Sequence, residues 1–188
     1  MRIVSGSRKS IPLKAVPGDA TRPTTDKVKE SLFNILGPYF EGEFVLDLFA
    51  GSGSLGLEAL SRGANYAVFV EKNGKAVKVL QENVEKARFT EQAEIMKGDA
   101  RRVLEDLQVR GVAFDLIFLD PPYAQIKLYS LAETIIEMGL LKEDGLIICE
   151  HAKEVNVEDF IPSASCYRKE QYGSLSISFF EHKRSSTQ

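Results

Sequence analysis

The 188-residue sequence predicts an α/β fold. In it a mostly parallel, seven-stranded sheet carries helices on both faces, finishes in a C-terminal antiparallel hairpin and follows a small basic hairpin and helix. Three observations predict this. Five short apolar runs of β type alternate with stretches whose apolar residues recur at helical spacing, the pattern of repeated strand–helix–strand units. Glycines stand where several of these elements should stop or start. Two further β-type runs near the C-terminus are joined through Tyr172-Gly173, which suits a hairpin.

Taken in order, residues 2–4 and 11–15 can pair as a small hairpin around Gly6. Thr24 or Thr25 then caps a helix that puts Val28, Leu32, Ile35 and Leu36 on one face and ends at Gly37-Pro38. The five parallel strands are expected at residues 44–49, 66–70, 93–96, 114–119 and 146–149. Between them, Leu55, Ala59 and Leu60, and then Ala76, Val79, Leu80 and Val84, mark helical faces. Gly63 and Gly139 stop helices, and Gly145 opens the fifth strand after a Glu-Asp turn. Residues 166–170 and 175–181 form the closing hairpin.

Composition narrows the function classes. At 44% hydrophobic and 27% charged, the chain suits one globular domain with an appendage: residues 1–40 as a basic arm and helix, residues 41–188 as the sheet domain. No apolar run approaches membrane-spanning length and the N-terminus lacks a signal-peptide stretch, so a cytoplasmic protein without a membrane partner is expected. Cys149 and Cys166 lack metal-ligand spacing and read as core residues. His151 and His182 are too scattered for a metal cluster, so no metal is expected. The net charge is −3, yet residues 1–40 hold seven Lys/Arg against Asp19, Asp26 and Glu30, leaving −7 on the remainder. A basic arm on an acidic domain fits phosphate contact; a solvated basic surface would look the same.

Ligands of such sheets lie beyond the carboxyl ends of the strands, so the residues just after each strand carry the function. An acid stands at or beyond four of them: Asp47 in Asp47-Leu48-Phe49-Ala50-Gly51-Ser52-Gly53-Ser54-Leu55-Gly56, then Glu71, Asp99 before Ala100, and Asp120. Any one acid could be a helix cap or a surface carboxylate; four in register describe a site. Gly51, Gly53 and Gly56 also satisfy the dinucleotide pattern, with Glu71 following Gly51 by 20 residues. Asp47 argues against a pyrophosphate there, since like charges about 5 Å apart cost on the order of 3 kcal/mol at an effective dielectric near 20. A ligand bearing an ammonium and a sulfonium reverses that sign. Asp120-Pro121-Pro122-Tyr123 forms a rigid acceptor surface, because two prolines fix two dihedrals and delete two donors. A carboxylate, a carbonyl and an aromatic ring suit a planar substrate with an amino group, such as a nucleobase.

These motifs resemble those of class I S-adenosylmethionine-dependent methyltransferases. The stretch Thr21-Arg22-Pro23-Thr24-Thr25-Asp26-Lys27-Val28-Lys29-Glu30-Ser31-Leu32-Phe33-Asn34, with Met1-Arg2-Ile3-Val4 and Gly6, resembles the RsmD family, which methylates a guanine N2 in small-subunit ribosomal RNA. Ser5 and Ser10 depart from it by standing where glycines are expected. The resemblance implies a Rossmann-like methyltransferase fold and S-adenosylmethionine as cofactor. Asp47, Phe49, Ala50, Gly51, Ser52, Gly53, Gly56, Glu71, Lys72, Asp99 and Ala100 would then hold that cofactor. Asp120, Pro121, Pro122 and Tyr123 would act on the base. Phosphates would be met by Arg2, Arg8, Lys9 and Lys14, with Arg22 and Lys27 nearer the pocket, on 16S ribosomal RNA within an assembling small subunit. With no separate target-reading domain, a monomer acting on a pre-shaped RNA is expected. Open alternatives are an adenine N6 methyltransferase on RNA or DNA, a protein-glutamine methyltransferase, a nicotinamide-dependent oxidoreductase and a non-catalytic RNA-binding module. A cytosine C5 enzyme would need a cysteine in the acceptor loop, and none is there.

Overall fold

The structure, a computed structural model, describes residues 1–18 and 24–184. Helix α1 (Asp26–Leu36) precedes the sheet and is capped by Thr25, whose hydroxyl accepts from the Val28 amide. Strands β1 (Phe44–Leu48), β2 (Tyr66–Glu71), β3 (Ala93–Lys97), β4 (Phe114–Leu119) and β5 (Leu141–Ala152) run parallel. Between them lie α2 (Ser54–Ser61), α3 (Gly74–Lys86), α4 (Ala100–Arg110) and α5 (Leu131–Glu137), the last preceded by a 3-10 turn at Ile126–Ser130. A second 3-10 turn, Val157–Phe160, leads to β6 (Ala164–Tyr172) and β7 (Leu175–His182), which add the antiparallel edge in the sheet order β3-β2-β1-β4-β5-β7-β6. The expected seven-stranded architecture is therefore present. Its strand order reverses between β1 and β4, where crevices open in such sheets. No helix among the described residues is long and apolar enough to cross a membrane.

The two-residue period of the strands sorts side chains into two cores. Leu46, Leu48, Ile117, Leu119, Ile147 and Cys149 pack against α4 and α5. Val45, Phe69, Leu116, Phe118, Ile148 and Phe179 face the other way, against α1, α2, α3 and the N-terminal residues Ile3 and Leu13. That alternation places Asp47, Asp120 and Glu150 on the second face, at the carboxyl ends of three adjacent strands.

Two expectations change in detail. The N-terminal pairing is a single antiparallel bridge, Arg2 with Pro12, closed by bonds from the Ile3 amide to the Ile11 carbonyl and from the Leu13 amide to the Met1 carbonyl. The rest of this segment is a loop moulded to α2. Gly6 at φ +86° leaves no room for a Cβ, which would fall 1.8 Å from the Ser61 carbonyl oxygen, and Ser10 adopts φ 72°, a glycine-like conformation where a glycine was expected. Glu143, Asp144 and Gly145 form no turn before the fifth strand but lie inside β5, where the register with β4 shifts between Phe114 and Leu116. A Cβ on Gly145 would approach Leu141 Cδ1 to 2.6 Å, so the glycine serves the irregularity rather than a strand start.

Lys29 belongs to the core and not to the basic surface. Fully buried, its ammonium lies 3.5 Å from Glu58 and donates to Ser54 Oγ at 3.0 Å. Glu58 also accepts from the amides of Val4 and Ser5 and from Arg62 Nε, so one buried acid fastens the arm, α1 and α2 together.

Candidate active site

At the reversal of strand order lies a cavity of about 450 Å³. Phe49, Gly51, Ser52 and Glu71 line it from the β1 and β2 side, Asp120 and Pro122 from the end of β4, and Met1, Ala15, Val16, Pro17, Gly18 and Thr24 from the N-terminal arm. Of the sequence-identified residues, Asp47, Phe49, Ala50, Gly51, Ser52, Glu71, Asp120 and Pro122 line it, and the three glycines of the turn differ in role. Gly51, at φ +56°, has nothing within 4 Å of where a Cβ would stand, so its backbone lies bare to the cavity. By contrast, a Cβ on Gly53 would strike Leu80 Cδ1 at 2.3 Å, and one on Gly56 would strike Phe69 Cε1 at 2.4 Å. These two glycines let α2 pack closely on the sheet. Phe49 enters the turn at φ 66°, a conformation costing on the order of 1–3 kcal/mol that such turns retain at ligand sites.

The acids differ in how they are held. Glu71 accepts from the Gly51 amide at 2.8 Å through one oxygen and from the Asn73 amide at 2.9 Å through the other, which fixes its carboxylate beside the glycine turn. Asp47 is buried under that turn and accepts from the Gly56 amide at 3.0 Å. Burial pushes its carboxyl up to about 7, with Glu71 and Glu150 adding to the shift and the Gly56 N–H opposing it. A buried acid of this kind, in a cavity whose described lining holds one cationic side chain, Lys75, favours a positively charged ligand. Asp99 caps α4 by accepting from the Arg101 amide at 3.0 Å and lies 3.7 Å from Lys72. It lines, with Lys72, Gly98 and Arg102, a separate open cleft, while Ala100 is buried under the first turn of α4.

In the acceptor loop Asp120 is exposed, Pro121 buried and Tyr123 60% exposed, its ring outside the cavity lining. The Pro122 carbonyl accepts from the Gln125 amide at 2.9 Å. Farther along, buried Tyr129 donates its hydroxyl to the Glu150 carbonyl at 2.6 Å, and Thr24 donates to the Glu150 carboxylate at 2.7 Å. On α3, buried Asn83 donates to the carbonyls of Ser52 and Lys14, both at 2.9 Å, and accepts from the Lys14 amide at 2.8 Å. Neither Asn83 nor Glu150 is among the residues identified from sequence, although Glu150 directly follows the fifth apolar run, residues 146–149, as the recognised acids follow theirs; Asn83 stands in a helical stretch with no motif around it.

The basic residues of the arm are unequal. Arg8 is partly buried, donating Nε to the Ala87 carbonyl at 2.8 Å with its guanidinium 5.2 Å from the Phe89 ring centroid. Arg2 pairs with Asp26 at 3.0 Å and Lys14 with Glu82 at 2.8 Å, both at the surface. Lys9 is exposed. Lys27 lies in a surface groove between α1 and β6 with Arg168, and Arg22 lies outside the described residues. Among the described residues no group of three or more His, Cys, Asp and Glu side chains is placed to hold a metal ion.

Comparison with known proteins agrees with this geometry. A family model described as conserved hypothetical protein 95 matches residues 1–181. The Bacillus subtilis (strain 168) protein with the name "Putative rRNA methyltransferase YlbH" is 46% identical over 183 residues, 97% of this chain and 100% of its own. Ribosomal RNA small subunit methyltransferase D of Escherichia coli (strain K12) is 30% identical over 187 residues, 97% of this chain and 90% of its own. Among solved structures, a hypothetical protein of Thermus thermophilus superposes with a TM-score of 0.82 at 32% identity, covering 96% of this chain and 99% of that one. With its sheet order, its glycine turn and its acceptor loop in place, the chain belongs to the family described as conserved hypothetical protein 95, the RsmD family of class I methyltransferases.

Proposed function

We propose that this protein transfers a methyl group from S-adenosylmethionine to the exocyclic N2 amine of a guanine in small-subunit ribosomal RNA. The observation that carries the reading is the shared cavity: a buried acid and a bare glycine turn at one end, Asp120 and the proline loop at the other. Its volume falls in the range of ligand pockets, roughly 300–1,000 Å³. The lining chemistry suits the cofactor as well. Asp47 offers charge to a cation, the Gly51 turn admits close backbone approach, and Glu71 has lone pairs for ribose hydroxyls. Asp99 and the Ala100 backbone would meet the adenine edge, with Lys72 beside them.

When bound, the cofactor supplies an electrophilic methyl on a sulfonium. The chain's own residues present the nucleophile. Asp120 and the Pro121 carbonyl accept the two N–H bonds of the amine, the Pro122 carbonyl being committed to Gln125. Held so, the nitrogen lone pair is freed from the ring, and Asp120 faces the positive charge that develops and takes up the proton released. Tyr123, exposed beside this loop, would stack on the base, an interaction worth roughly 1–3 kcal/mol per base. Residues 1–40 serve as the RNA-contacting arm and residues 41–188 as the methyltransferase domain. Asp47 favours this reading over a nicotinamide enzyme, whose pyrophosphate would meet a buried carboxyl.

Incubation of the protein with radiolabelled S-adenosylmethionine and small-subunit particles whose RNA lacks the modification, followed by nucleoside mass analysis, tests this. Label is expected in N2-methylguanine alone. Label in N6-methyladenine would replace the substrate assignment, and no label in RNA would reject it.

A further inference from the structure

The arm does more than reach outward: Met1, Ala15, Val16, Pro17, Gly18 and Thr24 form one wall of the cavity. We infer that Glu150 and Asn83 are positioning residues that lock this arm in place as the outer wall of the cofactor site, each gripping the arm and one of the cavity's other walls at once. The inference rests on the cofactor reading above and adds to it two residues outside every recognised motif.

The geometry at the two grips is parallel. Asn83, 1% exposed on α3, closes a pair of bonds with the Lys14 backbone at 2.8 and 2.9 Å, and its second N–H holds the Ser52 carbonyl in the glycine turn at 2.9 Å. Glu150, 8% exposed at the end of β5, takes the Thr24 hydroxyl at 2.7 Å through its carboxylate. Through its carbonyl it takes the Tyr129 hydroxyl at 2.6 Å, and Tyr129 sits in the turn that follows the acceptor loop. One grip joins the arm to the cofactor turn, the other joins it to the base-binding loop. Cys149, the neighbour of Glu150, pairs in register with Leu119, the neighbour of Asp120, so the acid stands beside the acceptor loop itself.

A buried carboxyl has a cost that only a partner offsets, and the partner here comes from the arm. Burial raises the Glu150 carboxyl and the Thr24 hydroxyl opposes that rise, so the bond and the ionised acid support each other. A stabilising role alone would have been met by an apolar residue at position 150, as it is at Ile147 and Ile148 on the same strand.

The test is calorimetric titration of S-adenosylmethionine into the full chain, with melting temperatures measured alongside. Thr24→Val is expected to weaken the cofactor about 3–10-fold, the net worth of one hydrogen bond, while melting within a few degrees of the unmodified protein. Thr24→Ser is expected to stay within about twofold, since it keeps that bond. Asn83→Ala is expected to weaken the cofactor similarly, and because that variant also loses three bonds of the fold the Thr24 pair decides. Unchanged affinity in Thr24→Val, or equal impairment in Thr24→Ser, would overturn the inference. An unmodified protein that gives no heat would remove the cofactor reading and this inference together, whereas heat in the unmodified protein isolates the role of the arm.

Discussion

The two ends of the cavity are built on opposite plans. At the cofactor end, Asp47, Gly51 and Glu71 are bonded to one another's surroundings: Asp47 to the Gly56 amide, Glu71 to the amides of Gly51 and Asn73, and Ser52 to Asn83. At the end proposed for the base, Asp120 and Tyr123 are exposed side chains on a loop that carries two prolines. One end is pre-organised by the protein's own hydrogen bonds. The other is rigid in backbone but presents its chemistry outward, as suits a base brought in on a much larger partner. On the proposed function, the difference assigns cofactor affinity to one end and turnover to the other.

That separation can be broken at several points. The largest effect is expected from Asp120→Ala, which should lower methyl transfer by about 10²–10⁴-fold, the span of a lost proton acceptor, while cofactor affinity changes less than twofold. Single-turnover rates and calorimetry together check it. Asp47→Asn should do the reverse, weakening the cofactor by about 10–100-fold through loss of a near charge pair.

The same substitution should make the cofactor-free protein more stable. With the Asp47 carboxyl at about 7, the folded chain binds more protons than the unfolded chain between about pH 4 and pH 7, so this residue's contribution falls as pH rises through that window. Above it, Asp47→Asn should gain about 2–4 kcal/mol by denaturant titration. By the same linkage, cofactor affinity of the unmodified protein should climb as pH rises through about 7, because a cation needs the ionised acid, and the Asp47→Asn profile should be flat.

Smaller effects are expected at the acceptor loop and on the arm. Tyr123→Ala should lower kcat/KM for RNA by roughly 5–150-fold, the worth of one stacked base, without touching the cofactor. Lys9→Glu should weaken RNA binding only a few-fold and flatten its salt dependence by about one unit of slope. Arg8→Ala, in contrast, should lower the melting temperature, since Arg8 is engaged with Ala87 and Phe89.

How far the sequence could be read follows the same division. The strand termini were legible because acids and glycines interrupt apolar runs there, and the acceptor loop because two adjacent prolines have few other uses. What escaped was everything decided by tertiary partners. Gly53 and Gly56 look like ligand glycines in one dimension, yet only the structure shows Leu80 and Phe69 filling the space where their side chains would be. Lys29 counts as one more positive charge until α1 is docked and its ammonium meets Glu58 in the core. Asn83 has no local signal, its Lys14 partner lying 69 residues away, whereas Glu150 follows the fifth apolar run as a further acid and only its Thr24 partner, 126 residues away, is hidden from the sequence. Glu143, Asp144 and Gly145 read as a turn by composition, while in the fold they form the irregularity of β5 between Leu141 and Leu146, which pair with Phe114 and Leu116.

The most direct measurement of the central claim sets Asp47→Asn and Asp120→Ala side by side, titrating each with S-adenosylmethionine by calorimetry at pH 8 and following labelled methyl transfer to small-subunit particles. The Asp120 variant is expected to bind the cofactor as the unmodified protein does and to transfer methyl at least about 100-fold more slowly, while the Asp47 variant binds it weakly and keeps measurable transfer at saturating cofactor. Equal loss of affinity in the two variants, or an Asp120 variant that transfers methyl at the unmodified rate, would contradict this division of roles.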